Sequence, residues 1–117
     1  MGLARPAELN QYPDPKHVLE LVVELELSDE QRQHVETFHA AMLEEAQRLG
    51  KEIVDKERHL DRRFAHSHID EEVLRSVTAE IADLYGELRF VHLRAHLETR
   101  AVLSPGQIES YDRLRGY

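Results

Sequence analysis

Cysteine and tryptophan are absent from this 117-residue chain. Without thiols there is no disulfide, no thiolate metal site and no cysteine nucleophile, while the cellular compartment stays open. Positive charge is scarce: 15 Lys and Arg stand against 23 Asp and Glu, a formal charge of -8 with histidine neutral. Such a chain cannot hold a phosphate backbone by bulk charge, so nucleic acid is not an expected partner, and anionic membrane surfaces are disfavoured. Long apolar runs are missing too. The most apolar stretch, residues 18–27, is broken by Glu20, Glu24 and Glu26, whereas a membrane span needs about 20 nearly uncharged residues. The first six residues lack the basic-then-apolar order of a secretion signal. No strand is evident, and no glycine-rich phosphate loop.

What is present reads as helix. Apolar residues make up 41% and charged residues 32%, a profile that suits one soluble helical domain of this length. Residues 1–13 hold Pro6 and Pro13 without periodicity and are expected to form a loose arm ahead of a single domain over 14–117. Asp14-Pro15 is a good N-cap and first-turn pair, and Val18, Leu21, Val22 and Leu25 give a short helix an apolar face ending near Glu26. Ser28 and Gln31 form a capping box that starts a long helix from about 28 to 65. Its stripe is Val35, Phe38, Met42, Leu49, Ile53, Leu60 and Phe64. His66-Ser67-His68-Ile69 breaks it, and Asp70 opens a second long helix to about Val102. Ser104 and Gln107 make a second capping box, with Pro105 at the first helical position of a short last helix that stops at Gly116.

So short a break between two long helices forces an antiparallel hairpin. With the turn between Ser67 and His68, the two capping boxes meet at the open end, and His39 lies opposite His96. Two long helices bury one stripe each, which is thin for a chain of this size, so a homodimer is expected to cover the remaining apolar surface.

Leu27-Ser28-x-x-Gln31 and Leu103-Ser104-x-x-Gln107, set at the two ends of a helical hairpin, resemble the paired motifs of the LTxxQ family of bacterial periplasmic stress proteins. That family includes Spy- and CpxP-like chaperones and CnrX- and ZraP-like heavy-metal sensors, and the stretch from His92 to Tyr117 looks like the carboxy-terminal part of the sensors. The resemblance covers about residues 15–117. It implies an all-α, four-helix hooked hairpin in a cradle-shaped antiparallel homodimer. It also implies a periplasmic location, with any leader or membrane anchor lying outside this chain. Some relatives hold unfolded proteins, and others bind transition metals and signal to a membrane anti-sigma factor or sensor kinase. None is an enzyme in the usual sense.

Eight histidines in 117 residues direct attention to metal. His92 and His96, four apart, share a helix face. With His39 opposite and Glu36 one turn from it, they are candidate ligands for a divalent zinc, nickel, cobalt or copper ion. The plainer alternative is that these imidazoles are solvated, or that His92 is half-buried and bonded to a carboxylate. The CnrX-like sensors use His-x-x-x-His on the first helix, where this chain has His17 and Leu21, and a glutamate where it has His39. Any site here is a variant of theirs. His92-Leu-Arg-Ala-His96 has zinc-protease spacing without the catalytic glutamate, which argues against hydrolysis. The expected function is therefore heavy-metal binding or sensing in an envelope stress or metal-resistance response. An ATP-independent periplasmic holding chaperone is the alternative, and acid sensing by the histidines is a third reading.

Overall fold

The structure, a computed structural model, describes residues 2–117. It is all-α: α1 (Arg5–Glu8) follows a 3-10 turn, then come α2 (Pro15–Glu20), α3 (Asp29–Ala65), α4 (Glu71–Val102) and α5 (Pro105–Arg115). A 37-residue helix rises about 56 Å, and the molecule is 58 Å long. The hairpin of α3 and α4 thus sets its whole length.

Each predicted start is built by the residue that predicts it. Asp14 Oδ1 accepts from the Lys16 amide at 2.7 Å, and Asp70 Oδ1 accepts from the Val73 amide at 2.9 Å. Both capping boxes are closed in both directions. They also lock to each other. Gln31 Nε2 donates to Gln107 Oε1 at 2.8 Å, while Gln107 Nε2 donates to Gln31 Oε1 at 3.1 Å. The same two amide groups donate to the carbonyls of Val102 and Leu25, at 2.9 and 3.1 Å. The motif glutamines therefore cap their own helices and clasp the starts of α3 and α5 together at the open end of the hairpin.

The first short helix ends earlier than its apolar periodicity predicts, at Glu20 rather than near Glu26. Residues 21–26 turn instead. Glu26 takes the left-handed conformation at φ 51°, with its amide bonded to the Val23 carbonyl and the Leu27 amide bonded to the Val22 carbonyl. This Schellman ending swings Leu25 into the core and Ser28 into capping position. Ser67 (φ 55°) and Gly116 (φ 83°) close α3 and α5 with the same pair of bonds. Only the last of the three is glycine. Because a side chain disfavours the left-handed region by about 1 kcal/mol, Glu26→Gly is expected to raise stability by roughly 0.5–1 kcal/mol. A urea unfolding curve with a higher midpoint and unchanged slope checks this.

The core sits at the open end, where Val18, Leu25, Val35, Leu103 and Tyr111 are buried together with Leu19, Leu27 and Ile108 around them. Along the hairpin the seam holds Leu49 and Ile53 against Val77, Ile81, Val91 and Ala95. From residue 54 to residue 76 no side chain is buried. Surface ion pairs bridge α3 and α4, with Lys56 Nζ 2.7 Å from Glu80 and Arg94 Nη2 2.9 Å from Glu45. Lys56 holds the exposed Glu80 carboxyl below the usual range, first by its hydrogen bond and then by its charge. Such exposed pairs add at most about 1 kcal/mol each. Among the described residues no helix is long and apolar enough to cross a membrane.

Residues 3–13, expected as a loose arm, lie along α4. Arg89 Nε donates to the Leu3 carbonyl at 3.2 Å, Arg100 Nε donates to the Gln11 carbonyl at 3.0 Å, and the Arg100 guanidinium stacks over the Tyr12 ring at 4.4 Å. Proline and the lack of periodicity correctly exclude a long helix here. They say nothing of such long-range bonds.

Candidate functional site

The predicted ligands are not brought together in the seam between α3 and α4. The inward stripe of α4 at this level is Val91, Ala95 and Thr99, and a helix turns about 100° per residue. His92 and His96 are therefore carried round from the face that meets α3. His39 stays half-buried on α3, and Glu36 is exposed with its carboxylate 3.7 Å from Arg32. Among the described residues no group of three or more histidine, aspartate or glutamate side chains stands ready-made to hold a metal ion. The structure therefore does not gather His39, His92, His96 and Glu36 into one donor set, and His96, the buried one of the four, has other neighbours.

Those neighbours come from the amino-terminal segment. His96 is 3% exposed. Its Nδ1 lies 2.7 Å from the Tyr12 carbonyl oxygen, which accepts only, so in the neutral ring Nδ1 carries the proton and Nε2 the lone pair. Nε2 faces Asp14 Oδ2 at 3.9 Å, while Glu8 Oε2 is 4.0 Å from Nδ1. His17 repeats the pattern. Its Nδ1 donates to Glu20 Oε1 at 3.0 Å, again leaving Nε2 free. Glu8, Asp14, His17, His96, Arg115 and Tyr117 line one open pocket of about 480 Å³.

Tyr111 anchors the pocket from below. It is fully buried, donates its hydroxyl proton to Glu8 Oε1 at 2.6 Å and accepts from the Asp14 amide at 3.2 Å. Burial and then the Glu8 hydrogen bond push its phenol far above the ordinary range, so it remains a donor. Glu8 Oε1 also accepts from the Tyr117 hydroxyl at 3.1 Å and lies 3.6 Å from Arg115 Nε. Its other oxygen, Oε2, is buried without a hydrogen-bond partner, as is Asp112 Oδ1. Burial and then the Glu8 charge raise the Asp112 carboxyl. Burial lowers the pKa of His92, partly opposed by Asp14. The pocket thus sets two carboxylates, Glu8 and Asp14, beside two guanidinium groups, Arg5 and Arg115, around an imidazole held in one tautomer.

Sequence reading misses Glu8, Asp14 and Tyr111 as site residues. Asp14 is legible only as a helix cap, and its second oxygen is what faces His96. His17 is visible as a first-helix histidine without a visible partner. The His66 and His68 rings stand exposed at the hairpin tip with centroids 6.3 Å apart, remote from this pocket in the fold.

No curated protein and no solved structure matches the chain. A family model described as heavy-metal resistance matches residues 5–110. That span includes both capping boxes, His96 and residues 5–13 of the docked amino-terminal segment. The chain belongs to this heavy-metal resistance family, within the LTxxQ group that its two motifs resemble.

Proposed function

We propose that this protein binds a divalent transition metal through the Nε2 atom of His96, with Asp14 facing it and His17, which lines the same pocket, brought in by side-chain rotation on binding. The carrying observation is the preset imidazole of His96: buried, its Nδ1 proton engaged by the Tyr12 carbonyl, its Nε2 directed at a carboxylate. A ligating histidine ordinarily gives its other N–H to a carbonyl or carboxylate in this manner. His17 is held the same way by Glu20. Two imidazoles and a carboxylate suit zinc, nickel, cobalt or copper(II), with geometry selecting among them. A bound divalent cation would supply a cross-link between the start of α2 and α4. The protein acts by binding and not by catalysis, works as a homodimer in the periplasm, and passes the bound state to a membrane anti-sigma factor or sensor kinase.

Calorimetry with each of the four metals tests the site. The wild type is expected to bind one of them with a sub-micromolar dissociation constant. His96→Ala is expected to weaken that binding on the order of 100-fold, as loss of a direct ligand exceeds loss of its supporting partner. Asp14→Asn, which keeps the helix cap, weakens it less, and His39→Ala leaves it unchanged. Equal binding by wild type and His96→Ala would overturn the assignment.

One observation favours the holding-chaperone reading beside it. Phe64, Tyr85, Phe90 and Leu97 are each about half exposed on the single chain, at 56, 49, 53 and 58%. A second copy or an unfolded client would cover such residues. Stoichiometric suppression of client aggregation, unchanged by a chelator, would favour the chaperone over the sensor.

A further inference from the structure

We infer that residues 3–13 form a strap whose docking is coupled to the His96 site, so that cation binding and strap closure are one event. The inference rests on the metal reading above and adds what that binding does to the chain.

The strap is held by polar contacts far more than by burial. No residue of α1 is buried, and Pro13 is the one buried side chain between residues 3 and 13. Its fastenings are the Arg89, His96 and Arg100 bonds to backbone carbonyls of Leu3, Tyr12 and Gln11, and the Glu8 bonds to Tyr111 and Tyr117. Within it Gln11 sits at φ 69°, a left-handed conformation that a side chain disfavours. Segments secured in this fashion open locally at lower cost than a packed core.

One fastening belongs to both systems. The Tyr12 carbonyl ties the strap to α4 and also accepts the Nδ1 proton of His96, leaving Nε2 as the free donor atom. With the strap lifted, the imidazole loses the acceptor that fixes its tautomer and orientation. Loss of such an acceptor lowers metal affinity about 10- to 100-fold. By linkage, the loaded site then favours the docked strap by the same factor. The mechanism needs no movement of α3 against α4. It turns occupancy of a small pocket into the availability of an eleven-residue segment at one end of the molecule, between residues 3 and 13.

Hydrogen exchange tests this on the whole chain. The amides of Leu9, Asn10 and Tyr12 bond within the strap, to the carbonyls of Arg5 and Ala7, and report its opening. In chelator they are expected to exchange much faster than the amides of Val35 and Leu49 in α3. Saturation with zinc, or with whichever of the four metals calorimetry shows to bind, is expected to slow them about 10- to 100-fold. The effect should vanish in His96→Ala. Arg100→Ala, which removes the guanidinium from Tyr12 and Gln11 without touching the donors, should speed strap exchange and leave α3 unchanged. Strap amides that exchange as slowly as those of α3 without metal would overturn the inference. So would calorimetric binding that leaves strap exchange unaltered, and in that case the metal reading survives. Absence of any metal binding removes both.

Discussion

Tyr111→Ala is expected to lower the unfolding free energy by about 4 kcal/mol, within the range for deleting a fully buried aromatic ring. The ring is 0% exposed in the cluster that unites α2, α3 and α5, so its loss leaves a cavity which no single element can collapse to fill. The hydroxyl adds a separate part. Without it Glu8 Oε1 loses its shortest hydrogen bond and the Asp14 amide loses its acceptor. Tyr111→Phe should therefore cost about 1–2 kcal/mol, the usual toll for stranding partly buried polar groups. Urea unfolding followed by circular dichroism separates the two variants. A loss below about 2 kcal/mol for the alanine variant would mean that α5 unfolds apart from the hairpin and not as part of one cooperative unit.

The second large effect belongs to the glutamine clasp. Gln31 alone makes four side-chain bonds: to the Ser28 amide, to the Val102 carbonyl and two to the amide group of Gln107. At about 1 kcal/mol net for each partly buried bond, Gln31→Ala is expected to cost roughly 3 kcal/mol. That corresponds to a melting temperature lower by on the order of 10 °C for a chain of this size. Gln31→Glu keeps the shape and the helix cap but removes both donors, so it should fall between wild type and alanine. Because the two amides serve each other, the double variant with Gln107→Ala should cost less than the sum of the singles, by about 1–2 kcal/mol. Strict additivity would show that each box acts only on its own helix.

The helix starts were legible because each depends on residues within one turn: Asp14, Ser28, Asp70 and Ser104 all cap as their spacing demands. The stops were less so. Glu26 and Ser67 occupy left-handed positions that sequence readily assigns only to glycine, and the early end of α2 was missed for that reason. The hairpin register followed from the turn, but which side of α4 faces α3 did not. A shift of one residue rotates a side chain by about 100°, enough to carry His96 from the seam to the amino-terminal segment. Its actual partner, the Tyr12 carbonyl, lies 84 residues away along the chain. Nothing in a local pattern of prolines and polar residues announces such a bond. His96 was readable as a candidate ligand; that Glu8 and Asp14 lie beside it was not.

The lack of any buried side chain between residues 54 and 76 gives the molecule a taper in mechanical strength. Thermal fluctuations should splay the two rods from the bend inward, while the hooked base stays shut until global melting. Protease nicks would then gather near His66, and a force applied there would meet little resistance before the seam at Ile53 and Val77. The base is thus the stiff end of the lever and the tip its pliant one.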